Sequence, residues 1–248
     1  MKPQLTIAVL TYNGSRLLPE CLASIEQQSF PCAVEKLVVE NGTMESLQKI
    51  PQGWRRFYTY PNVGHIAGQN LCFEQATTPY VLFVSNDVRF APNSFTPRWY
   101  QAVKLFRGQA MPIIRNVDGT IQVAGTRLQW PGIGLNQVTM DRLDYIPSIC
   151  YGMPVTLWQS LGGFDERYPG AYEDVDLGVR LGSRSLGRWA EMSVKHLGNA
   201  TLQYRTPTPF RESRRFFIRK HYRGLDRWSR LVACLAMELS RPVPPETV

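Results

Sequence analysis

Three acidic side chains within four positions, Glu173, Asp174 and Asp176, open the apolar-periodic segment Tyr172-Glu173-Asp174-Val175-Asp176-Leu177-Gly178-Val179-Arg180. At a helix start such carboxylates lie where backbone N–H donors also converge, and one of them can accept the proton of an attacking hydroxyl. Acidic residues also suit the first turn of any helix, so the cluster has to be weighed with its context. Upstream, Ser85-Asn86-Asp87 closes the apolar run Val81-Leu82-Phe83-Val84, and downstream His196 follows a strand-like segment. That order can bring a metal ligand, a second ligand and a base to one edge of a sheet.

The elements that must position these groups follow from periodicity. Leu5 to Leu10 reads as a buried strand, followed by a polar turn at Asn13-Gly14-Ser15 and a helix with Leu17, Leu18, Cys21, Leu22 and Ile25 on one face. Val34 to Val39, Phe57 to Tyr60 and Tyr80 to Val84 read as further strands, and Ile66 to Gln75 as a helix. This alternation predicts an α/β fold with a mostly parallel sheet flanked by helices, whose ligands bind beyond the carboxyl ends of the strands. Those ends carry Thr11-Tyr12-Asn13, Glu40-Asn41 and Asn86-Asp87. Further on, the pattern predicts a helix from Pro92 to Arg107, a strand from Gln109 to Ile113, and a hairpin with a flexible loop from Arg115 to Asn136. Tyr145 to Tyr151 then returns to the sheet, Pro154 to Leu161 and Glu173 to Ser185 form helices, and Gly187 to Val194 is a strand.

With 248 residues, 44% hydrophobic and 19% charged, the chain has globular composition and enough length for one large domain. No uninterrupted apolar run of membrane-spanning length occurs, and Met1-Lys2-Pro3-Gln4 runs straight into a strand without a signal-peptide pattern, so a cytoplasmic location is expected. Cys21, Cys32, Cys72, Cys150 and Cys234 form no C-x-x-C pair, which argues against disulfides and structural zinc. There is no G-x-x-x-x-G-K-[ST] loop, and Gly64-x-x-x-Gly68 is too weak to be a dinucleotide fingerprint.

The ordered blocks are Thr11-Tyr12-Asn13-Gly14, Val39-Glu40-Asn41-Gly42-Thr43, Asn62-x-Gly64-x-x-Gly68-x-Asn70, Ser85-Asn86-Asp87-Val88, Gly163-Phe164-Asp165-Glu166, Glu173-Asp174-Val175-Asp176-Leu177 and His196. Together they resemble the family 2 glycosyltransferases, in particular their rhamnosyltransferase-like bacterial branch, over residues 4 to 200. The resemblance implies a GT-A fold, with a nucleotide-sugar half over about 1–107 and an acceptor half over 108–204. It implies an inverting, metal-assisted transfer from a nucleoside-diphosphate sugar, UDP- or dTDP-linked, to a glycan or polyprenol-linked acceptor in cell-surface polysaccharide synthesis.

Carried over residue by residue, Tyr12 and Glu40 flank the nucleotide base, one by stacking and one by hydrogen bonding. Thr11, Asn13, Gly68, Asn70, Asn86 and Asp87 complete the donor site. Most relatives have Asp where Glu40 stands, which leaves the base open. Asp87 matches the last acidic residue of the Asp-x-Asp metal motif, although Ser85 replaces the first, and His196 matches a second ligand. Oxygen ligands with one histidine suit Mn²⁺ or Mg²⁺. Asp174 matches the catalytic base. Glu173 lies about 100° round the helix from it, and is assigned with Asp176 to acceptor positioning or helix-start stabilisation.

Residues 205–230 hold nine basic side chains against two acidic ones, so most of the net charge of +8 sits there. Phe217, Ile218, Tyr222, Leu225, Trp228, Val232, Leu235 and Leu239 recur at helical spacing, while Arg211, Arg215, Arg219, Arg223, Arg227 and Arg230 trace another face. The basic amphipathic segment 205–248 is open to three readings: a surface for anionic membrane, giving a peripheral position at the inner face of the cell membrane; a helix packed on the domain; or nucleic-acid contact. Specific nucleic-acid binding leaves the preceding 200 residues without a role. A catalytically weak binding protein of the same fold is the other rival, motivated by Ser85.

Overall fold

In a computed structural model of the chain, the structure describes residues 2–14, 16–42, 44–130, 132–198 and 207–222. Ser15, Thr43, Arg205, Arg223, Arg227, Arg230 and Cys234 lie outside the described residues, as do the apolar positions Leu225, Trp228, Val232, Leu235 and Leu239.

Strand β1 (Leu5–Thr11) is buried along its whole length and pairs in parallel with β2 (Val34–Asn41) and β4 (Tyr80–Ser85). Strand β3 (Arg55–Thr59) adds in parallel outside β2. Helix α1 (Leu18–Glu26) buries Leu18, Cys21, Leu22 and Ile25, the face its spacing predicts, and each such aliphatic contributes about 1.5–3 kcal/mol. Helix α2 (His65–Glu74) returns the chain from β3 to β4.

The second half departs from a purely parallel sheet. Strand β5 (Val88–Phe90), unforeseen in the sequence, runs antiparallel to β11 (Leu186–His196), and β11 runs parallel to β6 (Gln109–Arg115). Strand β10 (Cys150–Pro154) inserts antiparallel between β4 and β6, giving the order β3-β2-β1-β4-β10-β6-β11-β5, with β7 (Ile121–Val123) beside β6. Strands β8 (Gly125–Gln129) and β9 (Ile133–Gln137) form a separate hairpin, so the segment expected to be loose cover is largely paired.

Helix α3 (Pro97–Leu105) begins five residues later than Pro92, because Thr96 caps it by accepting from the Trp99 N–H at 3.0 Å with Pro97 just inside. Helix α4 (Val155–Leu161) and helix α5 (Glu173–Leu181) follow, and the last turn expected of α5 is a separate 3₁₀ turn at Ser183–Ser185. Helix α6 (Pro207–His221) completes the described chain, and its fully buried Phe217 belongs to the main core. The region that the sequence set apart from residue 205 therefore packs, through residue 222, on the domain it follows. Among the described residues no helix is long and apolar enough to cross a membrane.

Candidate active site

Parallel pairing places Thr11 beside Glu40 and Leu10 beside Ser85, so the polar ends of β1, β2 and β4 share one sheet edge. Asn86 Nδ2 donates to Thr11 Oγ1 at 2.8 Å, tying the β4 end to the β1 end. Tyr12 is 46% exposed, and a Cβ on Gly42 would lie 2.6 Å from its ring, so the absence of a side chain at 42 lets the ring lie against the backbone there. An exposed ring so placed can take a stacked partner. Glu40 is fully buried beneath it. Its Oε1 accepts from the Asn13 N–H at a long 3.3 Å and its Oε2 has no partner among the described residues. Burial pushes this carboxyl up to about 7 against the lowering effect of the Asn13 N–H.

Asp87 and His196 come together as expected, with Oδ2 and Nε2 3.2 Å apart. The strand pair that places them, β5 with β11, puts His196 opposite Val88. Burial pushes Asp87 up, but hydrogen bonding and charge from His196, with the Ser85 hydroxyl, outweigh it and hold the carboxyl below its usual value. On the far side of the ring Gln122 Oε1 lies 2.9 Å from Nδ1, which turns Nε2 toward the carboxylate. Among the described residues Asp87 Oδ1 is buried without a partner, which leaves it able to accept from or coordinate a further group. Among the described residues no three His, Cys, Asp or Glu side chains converge, so any ion held here takes its remaining ligands from substrate oxygens and water.

Asp174 sits half-buried in the first turn of α5. Its Oδ1 accepts from the Val175 N–H at 2.7 Å, and the Ser148 N–H also donates to the carboxylate. The next residue, Ile149, accepts from the Ser85 N–H at 2.9 Å. The segment Ser148-Ile149 thus links Asp174 to the strand end that carries Ser85, Asn86 and Asp87. Burial, and then the charge of Glu173, raise the Asp174 pKa despite those N–H groups. Glu173 faces another way, accepting from Gln69 Nε2 at 3.4 Å and lying 3.9 Å from His65 Nε2.

Three of the predicted site residues are engaged by partners within the protein. Asn70 was expected at the donor, but its Oδ1 accepts from the Phe164 N–H at 2.9 Å and its Nδ2 donates to the Phe164 carbonyl at 3.1 Å and to Glu166 Oε1 at 2.6 Å. Both ends of the amide fasten α2 to the Gly163–Glu166 turn. Gly68 is required by packing: a Cβ there would meet Leu10 Cδ1 at 2.9 Å and Asn41 Nδ2 at 3.0 Å, so α2 closes on β1 rather than opening toward a ligand.

Asp176 is fully buried, and its partners are all groups of the protein. Its Oδ1 faces Tyr168 Oη at 3.0 Å, Lys220 Nζ at 2.6 Å and His221 Nε2 at 2.7 Å, and its Oδ2 faces Arg180 Nε at 2.8 Å. Burial pushes the carboxyl up, but His221, Lys220 and Arg180 together bring it down to about 2.

Sequence reasoning passed over Gln69, Gln122 and Tyr151. Tyr151 Oη donates to Gln69 Oε1 at 3.2 Å, which orients the amide toward Glu173. Gln69 lies within the quoted Gly68-x-Asn70 block and was legible there. Nothing local pairs Gln122 with a histidine 74 residues away.

The layered α/β architecture, with a stacking ring and carboxylate at one strand end and an acidic helix start at the next, is that of a GT-A glycosyltransferase. A structure of GalNAc-T7 with UDP, GalNAc and Mn²⁺ superposes with a TM-score of 0.65 at 13% identity, over 79% of this chain and 44% of that one. Residues 1–349 of S. aureus TarS in complex with UDP give 0.60 at 19% identity, over 86% and 63%. The family model of Glycosyl transferase family 2 matches residues 6–153, and the chain belongs to that family.

Among curated relatives, the O-antigen biosynthesis protein RfbC of Myxococcus xanthus is 26% identical over 202 residues, which span 74% of this chain and 14% of that protein. The N-acetylglucosaminyl-diphospho-decaprenol L-rhamnosyltransferase of Mycobacterium tuberculosis is 24% identical over 222 residues, covering 73% of this chain and 71% of that protein.

Proposed function

We propose that the protein transfers a sugar, with inversion, from a UDP- or dTDP-linked donor to a hydroxyl of a glycan or polyprenol-linked acceptor, in the synthesis of a cell-surface polysaccharide. The observation that carries this reading is the short bridge, Ser148-Ile149, between the Asp174 carboxylate and the Ser85–Asp87 strand end. It holds a base with a raised pKa beside the edge where a diphosphate belongs. The mycobacterial relative named for a lipid-linked acceptor and the TarS complex with UDP-GlcNAc support the substrate classes.

In this reading Tyr12 stacks on the base and Glu40 accepts a hydrogen bond from it, while Thr11, Asn13 and Asn86 line the donor. Asp174 takes the proton of the acceptor hydroxyl as its oxygen attacks the anomeric carbon opposite the diphosphate. Glu173, turned away and engaged with Gln69, keeps a negative charge behind Asp174 and so strengthens the base. Asp87 and His196 would hold Mn²⁺ or Mg²⁺, which supplies charge neutralisation for the departing diphosphate. Exposed Arg211, Arg215 and Arg219 on α6 offer an electrostatic contact to an anionic membrane, consistent with peripheral placement in the cytoplasm.

The test is release of nucleotide from a panel of UDP- and dTDP-sugars with and without a polyprenol-diphosphate glycan acceptor, with the anomeric configuration of product read by NMR. Acceptor-dependent release with inverted product is expected. Tight nucleotide binding without turnover on any donor would favour the non-catalytic binding protein instead.

A further inference from the structure

The cations of α6 divide by exposure into two sets. Arg211, Arg215 and Arg219 are exposed, whereas Arg214, Lys220 and His221 turn inward alongside buried Phe217 and Ile218. The inward set closes on the two residues that flank Asp174 at a distance of two positions in sequence. Ahead of it, Tyr172 takes a left-handed backbone with φ of 71°, which costs a non-glycine residue and has to be held by its surroundings. Arg214 Nε donates to Tyr172 Oη at 2.6 Å, and the rings of Phe210 and Phe217 stand 5.4 and 5.6 Å from the Tyr172 ring. Behind it, Lys220 and His221 both reach Asp176 Oδ1, and Lys220 Nζ also lies 2.8 Å from Asp165 Oδ2. Arg180 extends the same hub to the carbonyls of Leu161 and Gly163 at 2.8 Å each.

We propose that α6 is a latch on the catalytic helix, and that Arg214, Lys220 and His221 are positioning residues that set Asp174 by gripping Tyr172 and Asp176. Their contacts end on the first turn of α5 and the turn before it, away from Glu40 and Tyr12, so the latch acts on transfer and not on nucleotide binding. This inference rests on the transferase reading with Asp174 as base.

Full-length Lys220→Met, Arg214→Met and their double variant would be compared with Lys220→Arg. Four quantities are measured: kcat and KM for transfer, UDP and dTDP affinity by calorimetry, thermal melting, and amide exchange across residues 172–176. The double variant is expected to lose at least tenfold in kcat and to exchange faster at 172–176, with nucleotide affinity within twofold and melting still cooperative. Lys220→Arg keeps kcat within threefold of wild type. If the double variant does not fold, the single variants carry the test, with smaller effects in the same direction. Unchanged exchange at 172–176, or a kcat within threefold of wild type in a folded double variant, overturns the latch. So does a parallel loss of nucleotide affinity and kcat, which would mark α6 as general scaffold. If the wild type transfers no sugar the transferase reading fails on its own, and the exchange comparison alone decides whether α6 holds α5.

Discussion

Replacing Glu40 by Gln should change how stability depends on pH, in a way the structure fixes in sign and size. The carboxyl titrates at 4.5 when free and at about 7 in the fold, because it is buried with one long hydrogen bond and one unpartnered oxygen. The folded protein therefore binds more protons than the unfolded chain between those values. For an acid raised in this way, stability is highest at low pH and falls as pH climbs through the window, reaching its floor above the folded value. Full ionisation costs roughly 3 kcal/mol at about 1.4 kcal/mol per pH unit, of which about 2.5 falls between pH 5 and pH 8. Gln cannot ionise, so its variant lacks this slope. Its amide N–H₂ meets the same empty surroundings as Oε2, an offset of about 1–3 kcal/mol that is the same at every pH. The measured quantity is thus the stability difference between variant and wild type at pH 8 minus that at pH 5, from urea denaturation followed by circular dichroism. It should come out at roughly 2 to 3 kcal/mol in favour of the variant. Parallel pH profiles for the two proteins would refute the claim that Glu40 is buried as an unfavourable charge.

Asp174→Asn keeps the shape and removes the base, so kcat should fall by ~10²-fold or more with nucleotide affinity nearly unchanged; transfer within threefold of wild type would end the assignment. Since burial and Glu173 raise the Asp174 pKa, and a base works only when deprotonated, wild-type kcat should decline with falling pH while still above the usual carboxylate range; a rate flat down to pH 4 contradicts this. Chelation by EDTA should abolish transfer and Mn²⁺ or Mg²⁺ restore it, and Asp87→Ala should weaken donor binding in calorimetry; full activity in chelator would mean that cationic side chains alone support the diphosphate. Sedimentation with anionic vesicles should be weak and salt-sensitive, because Phe217 and Ile218 are buried and leave α6 mainly its arginines; binding that survives high salt would show apolar insertion from elsewhere in the chain.

The sequence alone determined the main elements of the first half and which polar strand ends they bring together. Buried strands separated by amphipathic helices imply parallel pairing, and parallel pairing brings strand ends to one edge, so Thr11, Glu40 and Asp87 could be grouped without coordinates. It also drew a basic face of the C-terminal segment through 211, 215 and 219 and an apolar one through 217, 218 and 222. What covers the second face was not legible. Cations three or four residues from a buried aromatic read the same whether the apolar side meets lipid or protein, and only the packed structure shows Asp165, Asp176 and Tyr172 waiting there. The same limit applies to Asp176 and Asn70. Asp176 has local partners in Tyr168 and Arg180, but the remaining groups that hold it and Asn70 lie 44 to 96 positions away, where no local pattern brings them near. Periodicity reports which side of an element is buried, because burial follows hydrophobicity. The identity of the partner is set by how non-adjacent elements pack, and for this chain that decided which carboxylates are tied into the fold.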